Sequence, residues 1–178
     1  IYAAISGFGN PQFGKSPYLY WPSYDVVAQA MGGIIGITGP DKNTPTKVGP
    51  GVGDIFSGLM MSFGIISALR MAEKTSKGQF IDLSMYDAVL SLCERIIYQY
   101  DFDNSIPKPD GNGHPLLVPF GIYKSKDGHI ALGIVDNSFW KILTNIIGNK
   151  ELVENQKYET IESLSLIHIS EPTRPSII

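Results

Sequence analysis

A long apolar run, Ile55–Leu69, follows a single carboxylate, Asp54, in the stretch PGVGDIFSGLMMSFGIISAL. A helix that spans a bilayer needs roughly 18–20 consecutive apolar residues. This run is shorter, and serines and glycines interrupt it. We therefore predict a core helix from about Asp54 to Lys74, and we expect no membrane partner.

The position of Asp54 at the start of that helix allows two interpretations. A helix N-terminus offers a carboxylate free backbone N–H groups and the positive end of the macrodipole. In the first interpretation, Asp54 is simply the N-cap of the helix. In the second, Asp54 is a nucleophile or base held ionised by those donors, and Gly51 and Gly53 leave space for another molecule to approach. The residues alone leave both interpretations open.

Strand-like and helix-like segments alternate along the first part of the chain. A β-rich run at Ile1–Ser6 precedes a short predicted helix at Tyr24–Met31. After the long helix, QFIDLSM alternates apolar and polar residues as a strand does. Ser84 and Asp87 then have the spacing of a capping box, for a helix that we expect to end near Tyr100. This alternation predicts an α/β fold, part of a Rossmann-like large domain with a parallel sheet.

The segment Asp101–Pro119 is dense in Pro, Gly, Asn and Asp, which predicts a linker. The sequence after it, FGIYKSKDGHIALGIV, predicts a β-hairpin that turns at Lys126–Gly128. Asn137 is predicted to cap an amphipathic helix over Phe139–Ile147, and Gly148 to end it. A hairpin followed by a helix is typical of a separate, small α+β domain.

We therefore divide the chain into three segments. Residues 1–105 belong to the large α/β domain, and residues 106–162 form the linker and the start of the small domain. The stretch LSLIHISEPTR at Leu164–Arg174 matches the conceptual translation of a transposon-type sequencing adapter, so we expect residues 163–178 to be an adapter-derived tail outside the fold. Because the chain lacks an initiator Met and opens inside a strand-like run, we expect it to be an internal fragment.

Charge and cysteine content exclude several classes of function. The formal net charge of -3 provides no basic field for a nucleic acid, so we expect no nucleic-acid partner. The single cysteine, Cys93, excludes a disulfide within the chain and a cysteine-based metal cluster, and its apolar surroundings predict a buried structural thiol. His114 has no second histidine at ligand spacing, and we predict no metal site.

Four segments, taken in order, carry a resemblance to a known family. These are IYAAISGFG, SYDVVAQAMGGIIGITG, VGPGVGDIFSGLMMSFGIISAL and KTSKGQFIDLSMYDAVLSL, and the likeness resumes at GNGHPLLVPFGIYKSKDGHIALGIVDNSFWKIL. Together they resemble the family III CoA-transferases of the CaiB/BaiF type. The resemblance implies an enzyme that transfers coenzyme A from an acyl-CoA to a free carboxylic acid. It implies a coenzyme A thioester as substrate and no tightly bound cofactor.

In that family, the Asp of a G-D-x-x-x-G segment is the nucleophile, and this chain has GDIFSG with Asp54 at that place. The resemblance implies that the Asp54 carboxylate attacks the thioester and forms an aspartyl anhydride. The released CoA thiolate then forms an aspartyl-CoA thioester, from which the incoming acid collects CoA. Such chemistry requires an ionised, accessible carboxylate beside donors that can stabilise an oxyanion.

The residue thirty positions before Asp54 is Tyr24. The related α-methylacyl-CoA racemases have a His there, which works with the Asp as an acid–base pair, whereas the transferases have a Tyr near the bound CoA. Because a tyrosine phenol is protonated at neutral pH, it is a poor general base. Tyr24 therefore favours a transferase over the alternative of a racemase. A third alternative is a non-catalytic acyl-CoA-binding fragment in which Asp54 only caps its helix.

The resemblance also implies further binding residues and partners. The family covers the aspartyl intermediate with a glycine-rich loop, and DGNGHP lies at the matching place. Besides Tyr24, the predicted substrate and CoA-binding residues are Gly53, Gly111, Asn112, Gly113 and His114. The loop lacks the run of four glycines of formyl-CoA transferases, so we expect a different pair of acids. We expect a cytoplasmic protein that forms an interlocked homodimer at full length, and a fragment that is inactive alone.

Overall fold

The computed structural model describes residues 1–148, 152, 155–160 and 163–164. The chain divides into two compact units, Ile1–Pro109 and Asp110–Ile178. The division falls inside the predicted linker at Asp101–Pro119. That the two units are the large domain and the start of a small domain stays a prediction.

The first unit contains a parallel pair of strands. Strand β1 (Tyr2–Ser6) pairs with strand β2 (Phe80–Ser84), in a register that runs from Tyr2 opposite Phe80 to Ser6 opposite Ser84. Parallel strands need a long crossover, and here it contains helices. The parallel sheet predicted from the alternation of strands and helices is confirmed.

Five helices complete the first unit, and they are α1 (Asp25–Met31), α2 (Ile34–Ile37), α3 (Val52–Thr75), α4 (Met85–Leu92) and α5 (Glu94–Asp103). As predicted, the Ser84 hydroxyl caps α4 by accepting a hydrogen bond from the Asp87 amide at 2.9 Å. The predicted single helix to Tyr100 is instead two helices, because the backbone leaves helical geometry at Cys93 (ψ 27°). Cys93 is buried as predicted, and burial raises the pKa of its thiol.

Helix α3 packs one face against the rest of the unit and leaves the other exposed. Ser57, Met61 and Ala68 are buried, and Gly64 lies against Ile81 of β2. The exposed face carries large apolar side chains, namely Ile55, Leu59, Phe63 and Ile66. The prediction of a core helix thus holds for one face only. Among the described residues, α3 alone is long and apolar enough to cross a membrane, which is a weak indication because core helices pass the same test.

The second unit begins with the predicted hairpin. Strand β3 (Phe120–Lys124) pairs antiparallel with strand β4 (His129–Gly133), and the Ser125 amide donates to the Gly128 carbonyl at 2.9 Å to close the turn. Helix α6 (Asn137–Ile147) follows and ends at Gly148, which has the left-handed φ of 68° that glycine accommodates.

The N-cap of α6 differs from the prediction. Asn137 is the first residue of the helix, and the cap is Asp136, whose carboxylate accepts the Ser138 and Phe139 amides at 2.8 and 3.1 Å. Both residues are good cap formers, so the pattern placed the cap one residue too late.

The predicted tail contains two described residues, Ser163 and Leu164. Leu164 is 7% exposed and packs with Ile134 and Trp140 in the core of the second unit. These two residues therefore belong to the packed unit, contrary to our expectation. The remainder of the predicted tail, residues 165–178, lies outside the described residues.

Candidate functional site

Asp54 is the third residue of α3, and its side chain is exposed. Within the described part of the chain, neither its carboxylate nor its backbone amide has a hydrogen-bond partner. The N-cap position belongs to Gly51, which has no side chain to supply. The interpretation of Asp54 as the N-cap of its helix is therefore wrong. The Asp54 carboxylate therefore lies in the first turn of α3 and accepts no described hydrogen bond from the backbone.

The cap of α3 comes from another helix. The Asp25 carboxylate, in the first turn of α1, accepts a hydrogen bond from the Gly53 amide at 2.8 Å. The two residues lie 28 positions apart, so no local spacing rule connects them. Asp25 could not be predicted as the cap for this reason, since its only signal in the sequence is an acidic residue at the start of a predicted helix.

Gln29, one turn further along α1, is fully buried with 0% exposure. Its side-chain amide donates to the Asp25 carboxylate at 2.8 Å, and its side-chain oxygen accepts from the Val48 amide at 2.9 Å. The same amide lies 3.4 Å from the Val48 and Pro50 carbonyls. Gln29 thus links α1 to the segment that leads into α3, a role that no local pattern in the sequence predicts.

Gly53 allows α1 and α3 to approach each other closely. A Cβ at Gly53 would lie 3.1 Å from the Asp25 carboxylate and 3.2 Å from the Ala28 Cβ, closer than ordinary contacts. The space beside Gly53 is therefore used by α1, and its amide is already donated. At Gly51, by contrast, a Cβ would lie 3.7 Å from a carboxylate oxygen of both Asp25 and Asp54. The predicted role of Gly53 in binding substrate stays a prediction.

Tyr24 immediately precedes α1, and its side chain is 75% exposed. Its carbonyl accepts the Val27 and Ala28 amides at 2.9 and 3.0 Å and so starts the helix. Tyr24 and Asp54 are the chain neighbours of Asp25 and Gly53, the two residues that the capping hydrogen bond joins. The structure therefore places both at the same end of the α1–α3 pair, and both are accessible.

The other predicted binding residues form a turn in the second unit, and they are Gly111, Asn112, Gly113 and His114. The Asn112 carbonyl accepts the Ile122 amide at 2.9 Å, which fastens the turn to the hairpin. The His114 Nδ1 accepts the Leu116 and Leu117 amides, each at 3.1 Å, and its ring lies 5.0 Å from that of Phe120. His114 thus has a structural role in its own turn. The substrate-binding role of these four residues stays a prediction.

A cavity of about 600 Å³ opens in the first unit. It is lined by the loop after β1, including Asn10 and Lys15, and by Asp82 of β2. Tyr24 and Asp54 do not line this cavity, and their sharing of a cavity stays a prediction. In the described ranges, no group of three or more His, Cys, Asp or Glu side chains could hold a metal ion.

Comparison with known proteins connects this geometry to a family. A sequence model of CoA-transferase family III matches residues 1–170. The chain is 41% identical over 152 residues to the succinyl-CoA:mesaconate CoA-transferase of Haloarcula hispanica, a match that covers 85% of this chain and 38% of that protein. It is 34% identical over 159 residues to the acetyl-CoA:oxalate CoA-transferase of Acetobacter aceti, which covers 89% and 40%.

The fold agrees with these sequence matches. A CAIB/BAIF family protein from Brucella suis, solved by crystallography, matches with a TM-score of 0.78 and 30% identity over 96% of this chain and 44% of that chain. The α/β fold predicted from the sequence is thereby confirmed. The chain spans about two fifths of the length of the curated relatives it matches.

Proposed function

The chain belongs to CoA-transferase family III, and on this premise we propose that it carries the catalytic aspartate of an enzyme that transfers coenzyme A between carboxylic acids. The observation that carries this proposal is the state of Asp54. Its carboxylate is exposed and lies in the GDIFSG segment. It does not cap the helix, because Asp25 accepts the Gly53 amide instead.

In the proposed reaction, a carboxylate oxygen of Asp54 attacks the thioester carbon of the acyl-CoA, and the C–S bond breaks to release CoA thiolate. The product on the enzyme is a mixed anhydride of Asp54 and the donor acid. The thiolate then attacks the aspartyl carbonyl, forms an aspartyl-CoA thioester and releases the donor acid as its carboxylate.

The second half of the reaction reverses these steps with a new acid. The acceptor carboxylate attacks the aspartyl thioester and displaces CoA thiolate, and a second anhydride forms. The thiolate attacks the acyl carbon of that anhydride, which yields the new acyl-CoA and the free Asp54 carboxylate. No net proton is consumed, so the reaction needs an exposed nucleophile and oxyanion donors rather than a general base. The Asp54 amide has no described partner and is a candidate donor.

Tyr24 supports transfer rather than racemisation. A racemase needs two groups that exchange a proton at the α-carbon, and a neutral phenol is a weak base for this purpose. In a transferase, an exposed tyrosine at the same end of the α1–α3 pair as the nucleophile can instead contact the bound substrate. We assign Tyr24 this binding role, with the turn at 111–114 as a second binding element.

The substrates and assembly are finer parts of the same proposal. The acceptors named in the two relatives above, mesaconate and oxalate, are dicarboxylic acids. We take a dicarboxylate as the first acceptor class to test, with succinyl-CoA as donor. At full length, we propose a cytoplasmic homodimer.

The test uses the full-length protein that carries this sequence. Wild type is incubated with succinyl-CoA and a panel of dicarboxylic acids, and hydroxylamine traps any acylated aspartate for mass spectrometry. Asp54→Ala is expected to lower transfer by on the order of 10³-fold or more and to abolish the trapped adduct. Glu73→Gln, which removes an exposed charge near the other end of α3, is the matched control and is expected to keep wild-type activity.

Three results would contradict the proposal. Transfer at the wild-type rate in Asp54→Ala would remove Asp54 from the chemistry. Solvent deuterium in the α-carbon of a branched acyl-CoA, without an acceptor acid, would establish a racemase. Binding of CoA by calorimetry with no hydroxylamine-sensitive adduct would establish a binding module.

A further inference from the structure

Gln29 is an unusual residue to find completely buried on a short helix. A buried side-chain amide is costly unless its donors and acceptor are all engaged. Here they are engaged, with the Asp25 carboxylate, the Val48 amide, and the nearby Val48 and Pro50 carbonyls. All backbone partners lie in one short segment, the residues that lead into α3.

Asp25 and Gln29 act from the same face of α1, because residues four apart on a helix are neighbours. Asp25 holds the Gly53 amide, and Gln29 holds the segment at Val48–Pro50. Two side chains on one rigid turn therefore fix the backbone on both sides of Gly51. We call this pair, Asp25 and Gln29, the α1 clamp.

Besides the clamp, only local hydrogen bonds are described in this segment: the Lys47 ammonium donates to the Val48 and Gly49 carbonyls at 2.9 Å, and the Val52 amide donates to the Pro50 carbonyl at 2.8 Å. Two glycines, Gly49 and Gly51, flank Pro50 here, and glycine permits many backbone conformations. Gly49 and Pro50 are exposed, and nothing lies within 4 Å of the position that a Cβ would occupy at Gly49. Asp54 lies three residues after this glycine-rich sequence, and its side chain has no described hydrogen bond of its own. The clamp is therefore what ties the backbone before Asp54 to another helix, since the bonds from Lys47 and Val52 are local.

From this geometry we propose that Gln29 is a positioning residue for the nucleophile. Through Asp25 and the Val48–Pro50 backbone, it holds the first turn of α3 where the Asp54 carboxylate can reach the thioester carbon. The inference rests on the proposed transferase function. A reacting atom displaced by about 1 Å can lose on the order of 10²-fold in rate.

The test is a pair of single variants and their combination, in the full-length protein. In Gln29→Glu, two carboxylates face each other across the 2.8 Å contact, and in Asp25→Asn, two amide groups do. The double variant restores a donor–acceptor pair, since the introduced asparagine can donate to the introduced glutamate while still accepting the Gly53 amide. The introduced glutamate can still accept the Val48 amide but cannot donate to the Val48 and Pro50 carbonyls, so the double variant restores the contact between positions 25 and 29 and not the two longer ones. Rescue in the double variant therefore reports on the clamp itself.

We expect each single variant to lower kcat for CoA transfer by about 10–100-fold, with KM for the acyl-CoA changed by less than about threefold. The double variant is expected to recover to within about fivefold of wild type. Ser84→Ala, which removes the cap of α4 in the same unit, is the control for lost stability and is expected to keep wild-type kcat. Hydrogen exchange at the Val48 and Gly53 amides, measured without substrate, should speed up in the singles and slow again in the double.

Several outcomes overturn the proposal. One is a folded Asp25→Asn variant with wild-type kcat and wild-type exchange at both amides, because in Gln29→Glu the two facing carboxyl groups can share a proton and so restore the donor. Another is a double variant no better than the singles, whether in rate or, where the singles are too unstable to assay, in folding. The exchange measurement separates this proposal from the previous one. If wild type forms no adduct at Asp54 but the amides respond as expected, the clamp exists and the transferase function fails.

Discussion

Helices α3 and α6 both begin beside a carboxylate, but the two carboxylates come from different places. At α6, Asp136 precedes the helix directly and accepts the amides of its second and third residues, Ser138 and Phe139. At α3, the equivalent second amide, that of Gly53, is accepted by Asp25 from another helix. Helix α6 is therefore capped locally, whereas α3 is capped from a distance.

The difference decides what the acidic residue at each helix can do. The Asp136 carboxylate is occupied by capping hydrogen bonds. The bond from the Ser138 hydroxyl, and to a smaller extent that from the Phe139 amide, lowers the pKa of this carboxyl group below its ordinary range. Asp54 is also an aspartate near the start of a helix, but the amide that it could cap is accepted by Asp25. Because Asp25 in a neighbouring helix accepts the Gly53 amide, the first-turn carboxylate of Asp54 is left without a described backbone hydrogen bond.

The largest effect on stability is expected at Gly53, where α1 approaches α3 closely enough for Asp25 to accept the Gly53 amide. Gly53→Ala is expected to lower the free energy of unfolding by about 1–2 kcal/mol, because overpacking costs roughly 1–3 kcal/mol and helix propensity returns up to about 1 kcal/mol. The added methyl would meet the Asp25 carboxylate and the Ala28 side chain. Urea denaturation of the 178-residue chain measures the change.

Gly58→Ala is the matched control in the same helix. Nothing lies within 4 Å of the position of its added Cβ. Only the helix propensity changes there, so the variant is expected to gain up to about 1 kcal/mol. Equal effects at Gly53 and Gly58 would show that the close approach of α1 to Gly53 does not contribute to stability. The contrast between the distant cap of α3 and the local cap of α6 would then be unsupported.

Local signals explain most of what the sequence predicted correctly. The cap at Ser84, the stop at Gly148 and the hairpin turn at Lys126–Gly128 each depend on residues within a few positions of one another. The parallel strands followed from the alternation of segment types. The break at Cys93 was missed because the apolar pattern continues through it and only the backbone angles change.

Non-local contacts explain the rest. Asp54 and Tyr24 could be chosen from the sequence because a motif marks them. Their placement at the same end of the α1–α3 pair, however, follows from the hydrogen bond between Asp25 and Gly53. Nothing in a stretch of ten or twenty residues connects Asp25 with Gly53, and no spacing rule connects Gln29 with Val48. The residues proposed for the chemistry were therefore predictable, and those that hold them in place were not.

The second expected effect is a pH dependence confined to the locally capped helix. Because hydrogen bonds lower the pKa of Asp136 in the folded state, its stabilising contribution is present above the unfolded value, about 3.9, and is lost as the pH falls through the folded value. Acidification below about pH 4 is thus expected to loosen α6. Trp140 fluorescence in a Trp21→Phe background reports on that helix.

Asp136→Asn provides the control, since asparagine caps about as well as aspartate but does not titrate. This variant is expected to match the wild type near neutral pH and to show a flatter response on acidification. An unchanged acid response in Asp136→Asn would assign the titration to another group and would contradict the local-cap account of α6.

The smallest expected effect is also the most informative about the distant cap of α3. Asp54→Asn removes the first-turn charge of α3, which forfeits an attraction to the helix dipole of about 0.3–1 kcal/mol. It also relieves repulsion between Asp54 and Asp25, whose carboxylates approach the same glycine. Because Asp54 is exposed and Asp25 is only half-buried, the two effects are small and opposite, and we expect a net change within about 0.5 kcal/mol in urea denaturation. A loss of about 1–2 kcal/mol, as for a removed N-cap, would mean that Asp54 caps its own helix after all. In that case the carboxylate would not be free, and the structural basis for a nucleophile at this position would be gone.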